Sequence, residues 1–451
     1  MDIEKYFKDL VATKTNVLEY IPNRKNVKDL ARVFVFSLTA YYVMKALHDK
    51  YGHVVRLSPD TISVTDKDII KTVLVTEDLP KSPLYHIISG KSGTTLFTTT
   101  DKDFHRQRRR NVSSAFSVKY LVSLEPYMTT VTCSLMDQII FDLEKTKDAE
   151  GYGTVDLWSL SQRFSLDVIG ETGFGQTFDM LKNNNHVIPN SIKKELKMKF
   201  LKDIISKRAN SKDNTRKDIL QAFINSKNAA NAEDRLSDDA IIAETGLLLS
   251  SGSETTGSTL GFILIELLKN PDKLKKLCKE IDEMPLEEGQ KVFPHDQLRK
   301  LPYLNGAINE GLRLHTAIAI GLPRITDKEI ALSDQLTLPK GITVMVNQYL
   351  LQRSADYWEE PDSFIPERWI PGEECHVKEA DPDAFYAFSG GTRGCIGKNF
   401  SLQEIRLALS AIVKHFELKP IEQELKSSDD QRVYITLMLK NNSFKVKMRQ
   451  R

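Results

Sequence analysis

Residues 1–50 alternate apolar and polar positions in an amphipathic, helical pattern. From Tyr51 the pattern changes. Val54-Val55-Arg56-Leu57 and Ile62-Ser63-Val64, separated by Ser58-Pro59-Asp60, predict a β-hairpin. Residues 81–100 are rich in Ser, Gly and Thr around Leu84, Tyr85 and Phe97, and predict a loop of the kind that carries binding residues. A helical run through Phe104-His105-Arg106-Gln107-Arg108-Arg109-Arg110 ends near Phe116, and residues 120–182 are largely helical, with Leu166–Gly170 apolar enough for the core.

The longest periodic element starts at Leu236-Ser237-Asp238-Asp239, a serine cap with an acidic first turn. It runs to Leu268, where Asn270-Pro271 stops it and starts another helix. At ~30 residues it is ~45 Å long, enough to cross a domain. Its middle, Ser250–Gly257, is a polar cluster inside an apolar helix, and Gly alone loses ~1 kcal/mol there against Ala. A kink, with hydroxyls bonded back to the preceding turn, is the plain structural account. A helix over Pro302–Leu314 and strand-like segments at Tyr434–Leu439 and Ser443–Met448 complete a mainly α chain with small β-sheets, β-rich near 51–75 and 315–347.

Composition narrows the class. A chain of 451 residues allows two or three domains or one large fold, and 41% apolar with 27% charged residues excludes a disordered or fibrous protein. A net charge of +2 argues against nucleic acid as the main partner. Cys133, Cys278, Cys375 and Cys395 are scattered, which favours a reducing compartment over a disulfide framework. Met1-Asp2-Ile3-Glu4 is acidic where a secretory signal is basic. The apolar run Val33–Met44 falls short of the ~20 residues a membrane span needs, and predicts a buried or interfacial helix. Residues 1–50 are therefore set apart from residues 51–451.

The chemistry concentrates in Phe388-Ser389-Gly390-Gly391-Thr392-Arg393-Gly394-Cys395-Ile396-Gly397, a glycine-built loop that delivers one thiol to the start of a helix. Gly391 and Gly394 suit the left-handed or close-approach positions of a bulged hairpin. A thiol at a helix N-terminus is stabilised as thiolate. The spacing from Gly391 to Gly397 is one too long for a phosphate loop, and Asn399 follows Lys398. Cys375 and His376 lie too far back for a zinc knuckle. A structural turn leaves the lone cysteine unexplained, and a thiolate ligand to haem iron remains.

The stretch resembles the F-x-x-G-x-R-x-C-x-G signature of the cytochrome P-450 family, with every fixed position present, and the chain looks like a eukaryotic, fungal-like member. The resemblance implies a triangular helical domain with a β-rich edge. It implies haem b on Cys395, cradled by Phe388, Arg393 and Gly397, with His105 and Arg109 in the places of the family's W-x-x-x-R and Arg324 as a further propionate contact. Ser251-Gly252-Ser253-Glu254-Thr255-Thr256 is similar to the oxygen-activation motif, with Thr255 and Glu254 delivering protons and Ser251 standing where Ala or Gly is usual. Glu310, Arg313 and Arg368 match the family's triad that locks the loop before the thiolate. Taken alone, Glu310-x-x-Arg313 is a surface ion pair worth little. Phe97, Leu248, Ser251, Ala317, Ile318 and Ile320 would line the substrate cavity. A plain core strand over 317–320 and a surface position for Arg324 are the competing accounts.

The activity implied is insertion of one atom of O₂ into a lipophilic small molecule. Electrons would come from NADPH through a flavoprotein reductase, since the chain has no G-x-G-x-x-G of its own. Arg106, Arg108 and Arg110 form a candidate cationic dock for that partner, although a solvated face suffices for Arg106 and Arg110. The family expectation for location is the cytosolic face of the endoplasmic reticulum membrane, with peripheral membrane contact. Two rival functions stand beside it. One is a reductase-independent haem-thiolate isomerase or dehydratase, against which Glu254-Thr255 argues. The other is a haem-binding protein with impaired turnover, because 183–236 is short. The family would place two long helices there as a roof; Ser191–Ile205 suffices for one and leaves little for a second, which predicts an open cavity and weak substrate binding.

Overall fold

The computed structural model describes residues 38–89, 93–183, 194–210, 218–232, 235–433 and 436–451. Its helices include α1 (Leu38–Tyr51), α2 (Lys102–Ser113), α3 (Val118–Glu144), α4 (Leu157–Gly173), α5 (Lys194–Ala209), α6 (Ile219–Asn225), α7 (Asp238–Lys269), α8 (Pro271–Asp282), α9 (Pro302–Leu314) and α10 (Lys398–His415). Most of the readings on residues 1–50 lie outside the described residues; from Leu38 the chain is helical. Among the described residues no helix is long and apolar enough to cross a membrane.

Helix α7 is the axis of the fold. Ser237 caps it, its Oγ accepting the Ala240 N–H at 3.2 Å, and Asp238 and Asp239 fill the first turn. The polar middle does not break it. Hydroxyls return to carbonyls one turn back: Ser251 to Leu247 (2.7 Å), Ser253 to Leu249 (2.7 Å), Thr255 to Ser251 (2.8 Å) and Thr259 to Thr255 (2.8 Å). Such back-bonding satisfies the hydroxyls without using the ladder N–H groups, so the helix continues. Beyond Thr256 it is buried to Leu268. Two glycines let α4 press against it: a Cβ on Gly261 would sit 2.7 Å from the Trp158 ring, and one on Gly257 2.9 Å from the Ser161 carbonyl.

The main core joins α3, α4, α7, α9 and α10. A second cluster packs under a four-stranded sheet of order β1 (Val54–Ser58), β2 (Thr61–Val64), β7 (Thr343–Val346) and β4 (Leu322–Ile325). The expected hairpin is β1–β2, antiparallel, while β2 and β7 run parallel. Strands β3 (Gly153–Asp156), β11 (Lys445–Gln450) and β8 (Phe416–Lys419) form a second sheet. Two hairpins, β5–β6 (Ile330–Ser333, Leu336–Leu338) and β9–β10 (Gln431–Val433, Leu437–Leu439), complete the strands described.

Four expectations need correction. Residues 81–100 contain a short helix, Leu84–Ser89. Ala317–Ile320 is a loop, not a strand. Phe388–Cys395 turns through a 3₁₀ segment, Gly391–Arg393, with no hairpin around it. The fourth concerns the roof: α5 packs on α7, and a second, two-turn helix, α6, packs on α2. Asp218, fully buried, caps α6 through the Gln221 N–H (2.8 Å) and meets Arg208 Nε of α5 at 2.6 Å. That buried pair fixes a helix too short for periodicity to reveal.

Candidate active site

The cysteine loop sits on α10. Gly391 has φ +64°, and a Cβ there would lie 1.9 Å from the Leu74 carbonyl, so only glycine fits. The Cys395 N–H donates to the Phe388 carbonyl at 2.9 Å and closes the loop. Gly397 caps α10, and its N–H and that of Lys398 point at the Cys395 sulfur. Burial pushes the thiol up, while those N–H groups and the Arg109 and Lys398 charges pull it down. By surface area Cys395 is exposed, because its sulfur faces a cavity of about 280 Å³ between α10 and α7.

Of the residues singled out in the sequence, Phe97, His105, Arg109, Leu248, Ser251, Thr255, Ala317, Ile318, Arg324, Phe388, Arg393, Cys395 and Gly397 line this one cavity. Glu254 and Ile320 are not in its wall; Ile320 packs on the main core. Arg324 is 2% exposed and is therefore no surface arginine. Arg109 Nη1 donates to the Gly394 carbonyl at 2.7 Å, and Arg393 donates to the carbonyls of Thr99 (2.9 Å) and Asp101 (3.1 Å). His105 is held neutral, its imidazolium pulled down to about 3 by burial and by Arg393, Lys81, Arg109 and Arg324.

Lys81 escaped the sequence reading. It is 5% exposed, donates to the Phe97 carbonyl, and lies over the Tyr85 and Phe97 rings at 4.4 and 4.5 Å. The Ile325 N–H donates to the Pro80 carbonyl at 2.9 Å, which seats Lys81 beside Arg324. Burial and the charges of Arg324 and Arg393 pull its ammonium well down. Phe223 of α6 and Glu244 of α7 were also missed. Glu244 was visible in principle, as a lone acid one turn before Leu248 on the buried face of α7. Burial pushes its carboxyl up to about 7, opposed by the Leu96 N–H and Arg108. Arg108 thus turns inward, its Nε 3.6 Å from Glu244, and does not belong to a cationic outer face with Arg106 and Arg110.

The triad residues meet away from the cavity. Both carboxylate oxygens of Glu310 bond Arg313 (2.8 and 2.9 Å), and Oε1 also accepts from Arg368 Nε (3.1 Å) and the Ile365 N–H (3.0 Å). All three side chains are buried. Arg313 donates to the Gln352 carbonyl at 2.7 Å, and Gln352 Oε1 accepts the Tyr386 N–H at 2.7 Å, two residues before Phe388. The cluster is thereby tied to the cysteine loop, unlike an exposed i,i+3 pair.

These residues fit a flat, anionic, iron-bearing group. Five nitrogen-bearing side chains from four segments converge at one end of the cavity, and the charges of Lys81, Arg109, Arg324 and Arg393 hold the neighbouring groups down, which calls for an anionic partner. A Cβ on Gly397 would meet only the Cys395 sulfur, at 3.9 Å, so the cavity beside the sulfur is open to a flat group. The Cys395 sulfur is the only sulfur in the cavity wall among the described residues.

The sequence model of the Cytochrome P450 family matches residues 33–199 and 185–448. Curated relatives include cytochrome P450 monooxygenase acrD of Aspergillus aculeatus, 34% identical over 85% of this chain and 81% of its own length. Cytochrome P450 monooxygenase LUC2 of a Fusarium species is 30% identical over 92% and 84%. Cytochrome P450 3A6 of Oryctolagus cuniculus is 30% identical over 79% and 76%. The chain belongs to the cytochrome P450 family, is of fungal type, and is a haem-dependent monooxygenase that uses O₂ and an electron donor.

Proposed function

We propose that the chain inserts one oxygen atom into a lipophilic small molecule held between α7 and the 317–318 loop, and that Cys395 would hold the iron of haem b there. The observation that carries this reading is the single cysteine sulfur aimed into a cavity with a cationic end and a largely apolar wall. His105, Lys81, Arg109, Arg324 and Arg393 would hold the propionates, and Phe388 and Gly397 would flank the ring near the sulfur. Bound there, haem supplies the iron on which O₂ is reduced.

The chain's own groups do the rest. The Thr255 hydroxyl, now donating to the Ser251 carbonyl at 2.8 Å, stands in the cavity wall opposite the cysteine helix and would pass protons into it. Glu254, beside it on α7 but outside the wall, would draw them from solvent. Leu248, Ala317, Ile318, Phe97 and Phe223 would exclude water and hold the substrate; Ile320 would act only through packing. The Glu310, Arg313 and Arg368 cluster would keep the cysteine loop in place through Gln352. We read residues 51–451 as the haem domain. Electrons would come from NADPH through a flavoprotein reductase at the cytosolic face of the endoplasmic reticulum membrane, with peripheral membrane contact, and this part rests on the family alone.

The test is Cys395→Ser. The reduced, CO-bound wild-type protein should show the red-shifted Soret band of a haem thiolate, and the variant should lose it. A variant that kept the band would overturn the ligand assignment.

A further inference from the structure

Among the described residues, Glu244 is the only carboxylate in the cavity wall. It is 3% exposed. Its Oε1 accepts the Leu96 N–H at 2.9 Å and lies 3.6 Å from Arg108 Nε. That explains one oxygen: it ties the 93–100 loop to α7. Among the described residues no hydrogen bond reaches Oε2, although a buried carboxylate needs its lone pairs satisfied. Ile241 and Leu248 flank Glu244 on the same face, so an apolar residue would have served packing better.

We propose that Glu244 determines substrate specificity: its Oε2 accepts a hydrogen bond from a neutral O–H or N–H group at one end of an elongated, otherwise lipophilic substrate. This rests on the monooxygenase reading of the same cavity. The donor is neutral because Arg108 already offsets the carboxylate's charge, which leaves little attraction for an ammonium. Glu244 stands three turns before Thr255 on one helix, roughly 16 Å along its axis. Leu247, Leu248, Phe97, Val112 and Phe223 line the cavity with them. The substrate's polar end is thereby held remote from the carbon that reacts, and the helix sets the distance between the two. Arg108 Nη1, buried without a partner, is not in the cavity wall and offers the substrate no competing donor.

The test uses the full, haem-loaded chain and two probes that differ in one donor, 1-dodecanol and its methyl ether, titrated by the change in the Soret band. Wild type should bind the alcohol about tenfold more tightly, the effect of one such hydrogen bond. Glu244→Leu should abolish that preference while holding or raising affinity for the ether. Glu244→Gln keeps an acceptor for the Leu96 N–H, so it secures the comparison if the Leu variant does not fold; it should weaken the preference and leave the ether unchanged. Equal wild-type affinities, or a preference that survives both substitutions, would overturn the inference. A wild-type protein that loads haem with a thiolate spectrum but shows no preference refutes this inference alone. One that loads no haem refutes the monooxygenase reading with it.

Discussion

Glu404 shows how far one side chain can depart from its solution chemistry. It lies on α10, 1% exposed, with no hydrogen-bond partner on either oxygen. Burial pushes its carboxyl well above the ordinary 4.5, opposed only by the nearby Ser165 hydroxyl. The folded protein therefore keeps a proton that the unfolded chain releases near pH 4.5. A group that binds more protons folded than unfolded loses stabilising effect as pH rises, so wild type should weaken from pH 5 to pH 8 relative to Glu404→Gln. Denaturant midpoints of the two proteins at those pH values check it; a constant gap would mean that Glu404 is ionised in the fold. A place in the cavity wall was readable where a motif carried it, as at Cys395, Arg393 and Thr255. Lys81 was not, because its partners Arg324 and Phe97 reach it through a strand-edge contact that no local spacing encodes. Glu254 shows the converse: its place in a motif does not put it in the wall.

Helices that punctuate themselves were legible as elements. Ser237 and Asn270-Pro271 bound α7, and Pro302 opens α9, because caps and prolines act locally. The short α6 depends on Asp218 meeting Arg208 and on Phe223 finding the cavity, which are tertiary facts. The join between α9 and the cysteine loop is likewise tertiary. Glu310 accepts five hydrogen bonds, from Arg313 twice, Arg368, the Ile365 N–H and Trp369 Nε1 (2.9 Å). Glu310→Gln puts an amide N–H₂ against buried guanidinium groups and leaves them without a counter-charge. The loss should be roughly 3–5 kcal/mol, the range for breaking a buried ionic cluster from one side. The expected outcome is a lower thermal midpoint together with reduced haem content, since the strain passes through Gln352 to Tyr386. Normal haem loading at a normal midpoint would show that the cluster does not support the loop.

At the scale of the whole molecule, the cationic end of the cavity is where distant parts of the chain are brought together. Lys81 precedes the Leu84–Ser89 helix, His105 and Arg109 lie on α2, Arg324 on β4 and Arg393 in the cysteine loop. Burying like charges beside one another opposes folding; the opposing carboxylates near Arg393 are Asp78 and Asp101, at the loop edge. An anionic group bound at the centre would turn that repulsion into attraction and clamp the sheet, α2 and the loop at once. Removal of haem should therefore lower the thermal midpoint, and restored haem at a hundred times its dissociation constant should return about 2.7 kcal/mol. The apoprotein should also gain more from added salt than the loaded protein, because screening relieves repulsion that the propionates would already neutralise. Melting curves at low and high ionic strength, with and without haem, measure both effects. Equal salt responses in the two forms would mean that the five side chains are balanced within the protein itself and do not depend on the bound group.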